Sequence, residues 1–298
     1  RSERGVLAEI TALYEKEYEK LLKYAEAVEC FDTAIARAEL VLKYRLKRPL
    51  LSDDGVMRIK SGRFMSLERK CISTGEKYSP LDSGFETPVS VIHGSNMCGK
   101  TIALKTVCFL QAAAQLGFFV PAEEFETVVF DSIFFIGEAA GTACEGLGSF
   151  GREIVALAGA LGAGAGRPLI VMDEPARTTN STEASALLAG LLEVADKRGG
   201  LRVFIATHYA GLPEFASVSY YCMKGLRRDG LAALCDDAPL AERLKAIHAN
   251  IEYALVPECD KRNSNDALYI AEALGLDEEI IDAAKKHIAA RENRRNTP

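Results

Sequence analysis

The 298-residue chain has no tryptophan, no long apolar run and no excess of basic residues, and these absences narrow what it can be. No apolar stretch reaches the roughly 18 residues that a membrane-spanning helix needs, so no membrane partner is expected. Its 36 Lys and Arg stand against 42 Asp and Glu, a net charge of −6. A dedicated nucleic-acid coat would be strongly basic instead. The eight cysteines include no C-x-x-C pair, the spacing of zinc and redox sites. Scattered reduced thiols are therefore expected. The opening residues, Arg1-Ser2-Glu3-Arg4-Gly5, hold neither an apolar signal core nor an initiator Met, which reads as a cytoplasmic chain cut from a longer one. What is present is ordinary: 48% apolar and 26% charged residues exclude collagen-like, low-complexity and disordered classes. Folding at this length removes roughly three quarters of the unfolded surface from water, enough for a large core.

Leu7, Tyr14, Leu21, Val28, Ile35 and Leu42 recur every seven residues, with Ile10, Tyr24, Phe31 and Ala38 interleaved and Glu17 as the one breach. This beat predicts a long helix over residues 1–48, ended by the Pro49 region, whose narrow seam faces another helix. An ordinary amphipathic helix packed on its own domain is the alternative. Residues 49–92 hold short β-like runs, Val56 to Ile59 and Phe64 to Leu67, before a clear strand at Pro88 to Ile92. Then the signals alternate: helix Thr101 to Leu116, β-rich run Val128 to Ile136, helix Glu153 to Leu161, strand Leu169 to Met172, helix Glu183 to Lys197 and strand Arg202 to Ala206. The stretch 162–166 reads as a glycine-rich turn. Buried strands bounded by helices predict an α/β domain over residues 49–264, a mostly parallel sheet with helices on both faces. Residues 265–298 read as two short helices joined at Gly275-Leu276-Asp277; the acidic run Asp277-Glu278-Glu279 opposes insertion into a DNA groove and favours packing or dimer contact.

The chemistry concentrates in three segments. Gly94-Ser95-Asn96-Met97-Cys98-Gly99-Lys100-Thr101 fits G-x-x-x-x-G-K-[ST] between a strand and a helix, a pattern expected by chance in roughly one such chain in a hundred. Gly94 and Gly99 let the backbone curl so that successive N–H groups face a phosphate at the positive end of a helix. Lys100 then offers its ammonium to the β and γ phosphates, and the Thr101 hydroxyl ligates Mg²⁺. Leu169 to Met172 leads into Asp173-Glu174 at the carboxyl end of a buried strand, where ligands of open α/β sheets gather. Asp173 suits the Mg²⁺ shell and Glu174 the orientation or deprotonation of the attacking water. His208, after the strand Arg202 to Ala206 and Thr207, stands at the same sheet edge and could sense the γ-phosphate. His93 carries no such argument.

Together these segments resemble the ATPase domain of the MutS family, a relative of the ABC ATPases with a P-loop NTPase fold. The likeness lies in the loop 94–101, in Met172-Asp173-Glu174 followed by Arg177, and in Ala206-Thr207-His208-Tyr209; Gly62-Arg63, Phe118 to Ala122, and Ser149-Phe150 with Glu153 are also similar to family segments. The resemblance implies a homodimer with two composite ATP sites, in which Ser149 of each subunit reaches the nucleotide held by the other. It implies lever helices in residues 1–48 and a dimerising extension in 265–298. In mismatch repair proteins, domains absent from this chain clamp duplex DNA. Three departures stand out. Cys98 replaces a glycine, putting a thiol into the phosphate nest; a helix N-terminus can depress a thiol pKa, but simple tolerance of the side chain is the expected reading. Gly148 replaces a serine. Pro175-Ala176-Arg177-Thr178 lacks the family's glycine-rich turn. That last form is similar to MutS-like ATPases that reactivate cobalamin-dependent aminomutases, so the client is duplex DNA or, alternatively, a protein.

Overall fold

The computed structural model describes residues 2–95, 97–137, 148–162, 166–209, 211–227, 239–257 and 266–295. Asn96 and the middle of the turn expected at 162–166 lie outside them. Two compact units divide the chain, Arg1–Lys47 and Arg48–Pro298. The first is a single helix, α1 (Glu3–Tyr44), with no buried residue; its seam residues Leu7, Tyr14 and Val28 are each more than half exposed. It stops before Pro49. Arg45 takes left-handed backbone at φ 52°, and the N–H of Leu46 returns to the Val41 carbonyl at 3.0 Å, a termination set by local backbone geometry.

The second unit runs β1 (Leu50–Leu51), β2 (Met57–Gly62), α2 (Met65–Thr74), β3 (Leu81–Phe85), β4 (Val89–His93), α3 (Lys100–Gln115), β5 (Glu124–Thr127) and β6 (Ser132–Ile136). It continues with α4 (Ser149–Gly162), β7 (Pro168–Asp173), α5 (Ser181–Lys197), β8 (Arg202–Thr207), β9 (Val218–Leu226), α6 (Leu240–Ala249), β10 (Ile251–Pro257), α7 (Asp266–Ala273) and α8 (Glu278–Arg295). The main sheet has strand order β10-β9-β4-β8-β7-β6; every pairing is parallel except β10 with β9. A second sheet, β1-β5-β2-β3, is mixed.

Near-continuous apolar strands explain the layering, because alternate side chains leave a strand on opposite faces. Ile92, Leu169, Val171, Phe204 and Ala206 join one core with Leu104, Val107 and Leu110 of α3. Val89, Val91, Ile170, Met172, Val203 and Ile205 join a second core with Leu188 and Leu192 of α5. The sheet is thus covered on both sides. Asn180 opens α5 by accepting the Thr182 N–H at 2.9 Å, as an N-cap should. Among the described residues no helix is long and apolar enough to cross a membrane.

Three expectations are corrected. Phe64 to Leu67 is not a strand: Phe64 caps α2, its N–H donating to Tyr78 Oη at 2.7 Å, and four residues are too few to distinguish the two periods. The run Val128 to Ile136 splits, since residues 128–131 pass between the sheets. There the side chains of α3 replace the ladder: Gln111 Nε2 donates to the Val128 carbonyl at 2.9 Å, and the Phe130 N–H donates to Gln115 Oε1 at 2.8 Å. Finally, Cys30, Cys71, Cys98 and Cys108 are free, but Cys222 on β9 is disulfide-bonded. Sequence spacing does not measure distance in the fold.

Candidate functional site

Between the last residue of β4 and the first of α3 the chain has six residues in which to turn. Gly94, Met97 and Gly99 take left-handed backbone, at φ 155°, 80° and 97°. A Cβ on Gly94 would stand 2.6 Å from Cys98 Sγ, and one on Gly99 would stand 3.0 Å from Tyr253 Cδ1. Both positions need glycine for space as well as for conformation. Lys100 is only 4% exposed. Its ammonium donates to the carbonyls of Gly94 at 2.7 Å and Ser95 at 3.0 Å, and lies 3.3 Å from Glu174 Oε1. A buried ammonium must be paired to be tolerated, so the loop wraps around it. From the other side, Ser95 Oγ donates to Asp266 Oδ2 at 3.1 Å, tying the start of α7 to the loop.

β8 lies between β4 and β7, with Asp173 in register with Ala206 and His93 with Thr207. The carboxyl ends of three strands therefore reach one edge. Thr101 Oγ1 donates to Asp173 Oδ1 at 3.1 Å, bringing the two expected Mg²⁺ ligands into contact. Burial pushes the Asp173 carboxyl above its ordinary range, against the Thr101 hydrogen bond and with the help of neighbouring Glu174. A carboxylate short of counter-charge suits a cation. Magnesium prefers one or two carboxylates completed by phosphate and water oxygens, so Thr101 and Asp173 fit the role.

A cavity of about 1480 Å³ opens over this edge, lined by Ser95, Met97, Lys100, Thr101, Ser149, Asp173, Glu174 and Arg177 among others. Thus the loop, the Asp-Glu pair, Ser149 and Arg177 share one space. Ser149 heads α4, its Oγ 2.9 Å from Thr178 Oγ1. His208 follows β8 but is exposed, its ring centroid 4.5 Å from that of Tyr209, and it does not line the cavity. Asn96 lies outside the described residues. Cys98 is 2% exposed and packs in the core with Ile92 and Met223. Burial raises its pKa, in keeping with a tolerated rather than a reactive thiol, although its Sγ lies against Gly94 of the loop. Two contributors had no local signal in the sequence. Tyr253 on β10 closes against Gly99, and Asp266 reaches the loop across 171 residues.

A family model described as MutS domain V matches residues 90–292. An endonuclease MutS2 of Geobacillus sp. (strain WCH70) is 28% identical over 300 residues, covering 97% of this chain and 34% of its own length. The DNA mismatch repair protein MutS of Chloroflexus aurantiacus (strain ATCC 29366 / DSM 635 / J-10-fl) is 30% identical over 273 residues, covering 88% of this chain and 28% of its own. That of Solibacter usitatus (strain Ellin6076) is 32% identical over 195 residues, covering 64% and 22%. The chain thus spans about a third or less of the length of the relatives it matches.

Proposed function

The chain belongs to the MutS family, and from that premise we propose that it binds and hydrolyses ATP and passes the resulting conformational change to a client. Lys100 carries the proposal: a buried ammonium, held by two loop carbonyls and set 3.3 Å from Glu174, marks where anionic oxygens would bind. With ATP in the cradle, the loop N–H groups and Lys100 hold the β and γ phosphates. Thr101 and Asp173 hold magnesium, which neutralises charge on the phosphates when bound. Glu174 takes a proton from the water that attacks the γ-phosphorus, as the bond to the bridging oxygen breaks and ADP leaves. His208 completes the edge as a γ-phosphate sensor once the site closes. Ser149 of each subunit completes the nucleotide site of the other, so turnover depends on a homodimer. α1 would serve as the end of the levers, residues 49–264 as the ATPase domain and residues 265–298 as the dimerising extension.

The names of the relatives support a DNA-handling client, gripped by domains outside these residues. The Asp-Glu-Pro-Ala-Arg turn supports a second reading, remodelling of a protein partner such as an aminomutase. Phosphate release from MgATP tests the enzyme, and light scattering with and without MgATP tests the dimer. Magnesium-dependent release and nucleotide-promoted dimers are expected; monomers in every nucleotide state would remove the composite site. Stimulation of the full-length protein by duplex DNA separates the two clients.

A further inference from the structure

The turn after β7 carries strain that needs a counterpart. Glu174 and Ala176 both take left-handed backbone, at φ 49° and 59°, on either side of Pro175, and neither is glycine. Side chains resist this conformation, so the surroundings must hold it. The Glu174 N–H donates to the Ala206 carbonyl at 2.9 Å, which fixes one side. On the other, the Ala176 N–H donates to Glu153 Oε2 at 2.8 Å, a charge-assisted bond of the stronger kind. Glu153 comes from α4, a separate element, and α4 fastens the same turn again through Ser149 and Thr178 at 2.9 Å. Residues four apart share one helix face, so both fastenings come from one side of α4.

We infer that Glu153 is a positioning residue: its carboxylate clamps the strained turn and thereby aims Glu174 at the phosphate cradle. This rests on the reading of Glu174 as the water-activating carboxylate. It also gives α4 two duties, because a displacement of Ser149 at the dimer contact would pull on the turn that Glu153 holds.

Three variants of the chain test the clamp: Glu153→Ala, Glu153→Gln, and Glu153→Ala combined with Ala176→Gly. Each is measured for MgATP turnover, MgADP affinity and amide hydrogen exchange of the peptide covering residues 174–179. Glu153→Ala should lower kcat roughly tenfold to a hundredfold through misplacement, with MgADP affinity within about twofold, and should speed exchange. Glu153→Gln keeps an oxygen that accepts the same N–H, so turnover should return to within about threefold of the parent. The double variant should also recover, because glycine takes the left-handed turn without strain. If Glu153→Gln is as slow as Glu153→Ala, the charge itself takes part in the reaction and the positioning role falls. Unchanged exchange in Glu153→Ala would overturn the clamp whatever the turnover. A parent chain that releases no phosphate would sink the ATPase reading alone, since the exchange comparison still decides the clamp.

Discussion

The phosphate loop and the turn after the Asp-Glu pair solve the same backbone problem by different means. Both need left-handed residues at the end of a buried strand. The loop takes most of them from glycine, at Gly94 and Gly99, whose missing side chains also make room for Cys98 and Tyr253. The turn uses Glu174 and Ala176 and is held by hydrogen bonds from β8 and α4. A conformation bought with glycine is written locally, whereas one held by distant side chains depends on tertiary structure. The first half of the site is therefore set by its own sequence and the second by its neighbours.

That contrast can be broken at both ends. Glu174→Gln keeps the turn but removes the base, so phosphate release should fall by roughly 10² to 10⁴ with binding retained; surviving turnover would move the chemistry elsewhere. Lys100→Ala should weaken MgADP binding by about 1.5 to 3 kcal/mol through a lost charge-assisted contact, measured by calorimetric titration. Gly94→Ala puts a methyl against Cys98 and should destabilise the chain by about 1 to 3 kcal/mol in urea denaturation. The smallest effect has the opposite sign. Because burial raises the native pKa of Asp173 above its unfolded value, its contribution to stability falls as pH rises from the ordinary carboxylate range through the native pKa. Asp173→Asn should thus raise the thermal midpoint at neutral pH, and a lowered midpoint would show the carboxylate to be well paired.

Much of the main sheet was legible because β4, β7 and β8 are near-continuous apolar runs with polar residues mainly at their ends, the mark of strands buried on both faces. The loop was legible because glycine, lysine and threonine occupy fixed places in eight consecutive residues. The second sheet was not, since its strands are short and its pairing joins β1 to β5 and β2 to β5 across two helices, α2 and α3, and the strands between them. Gln111 and Gln115 look like ordinary helix residues in sequence, yet they satisfy the backbone of 128–130. For Cys98 the motif left both a tolerated and a reactive thiol open, because a position in the motif says nothing about burial; the side chain is 2% exposed. Asp266 had no motif at all; only the docking of α7 brings it to Ser95.

Titration of the chain with a nonhydrolysable ATP analogue, in magnesium and then in EDTA, for the parent and for Asp173→Asn, tests the cradle and its metal anchor together. The expected result is one saturable site per chain whose affinity drops when magnesium is removed, with that magnesium dependence lost in Asp173→Asn. Absence of binding by the parent, or equal affinity with and without magnesium, would contradict a triphosphate held at residues 94–101 with its cation on Asp173.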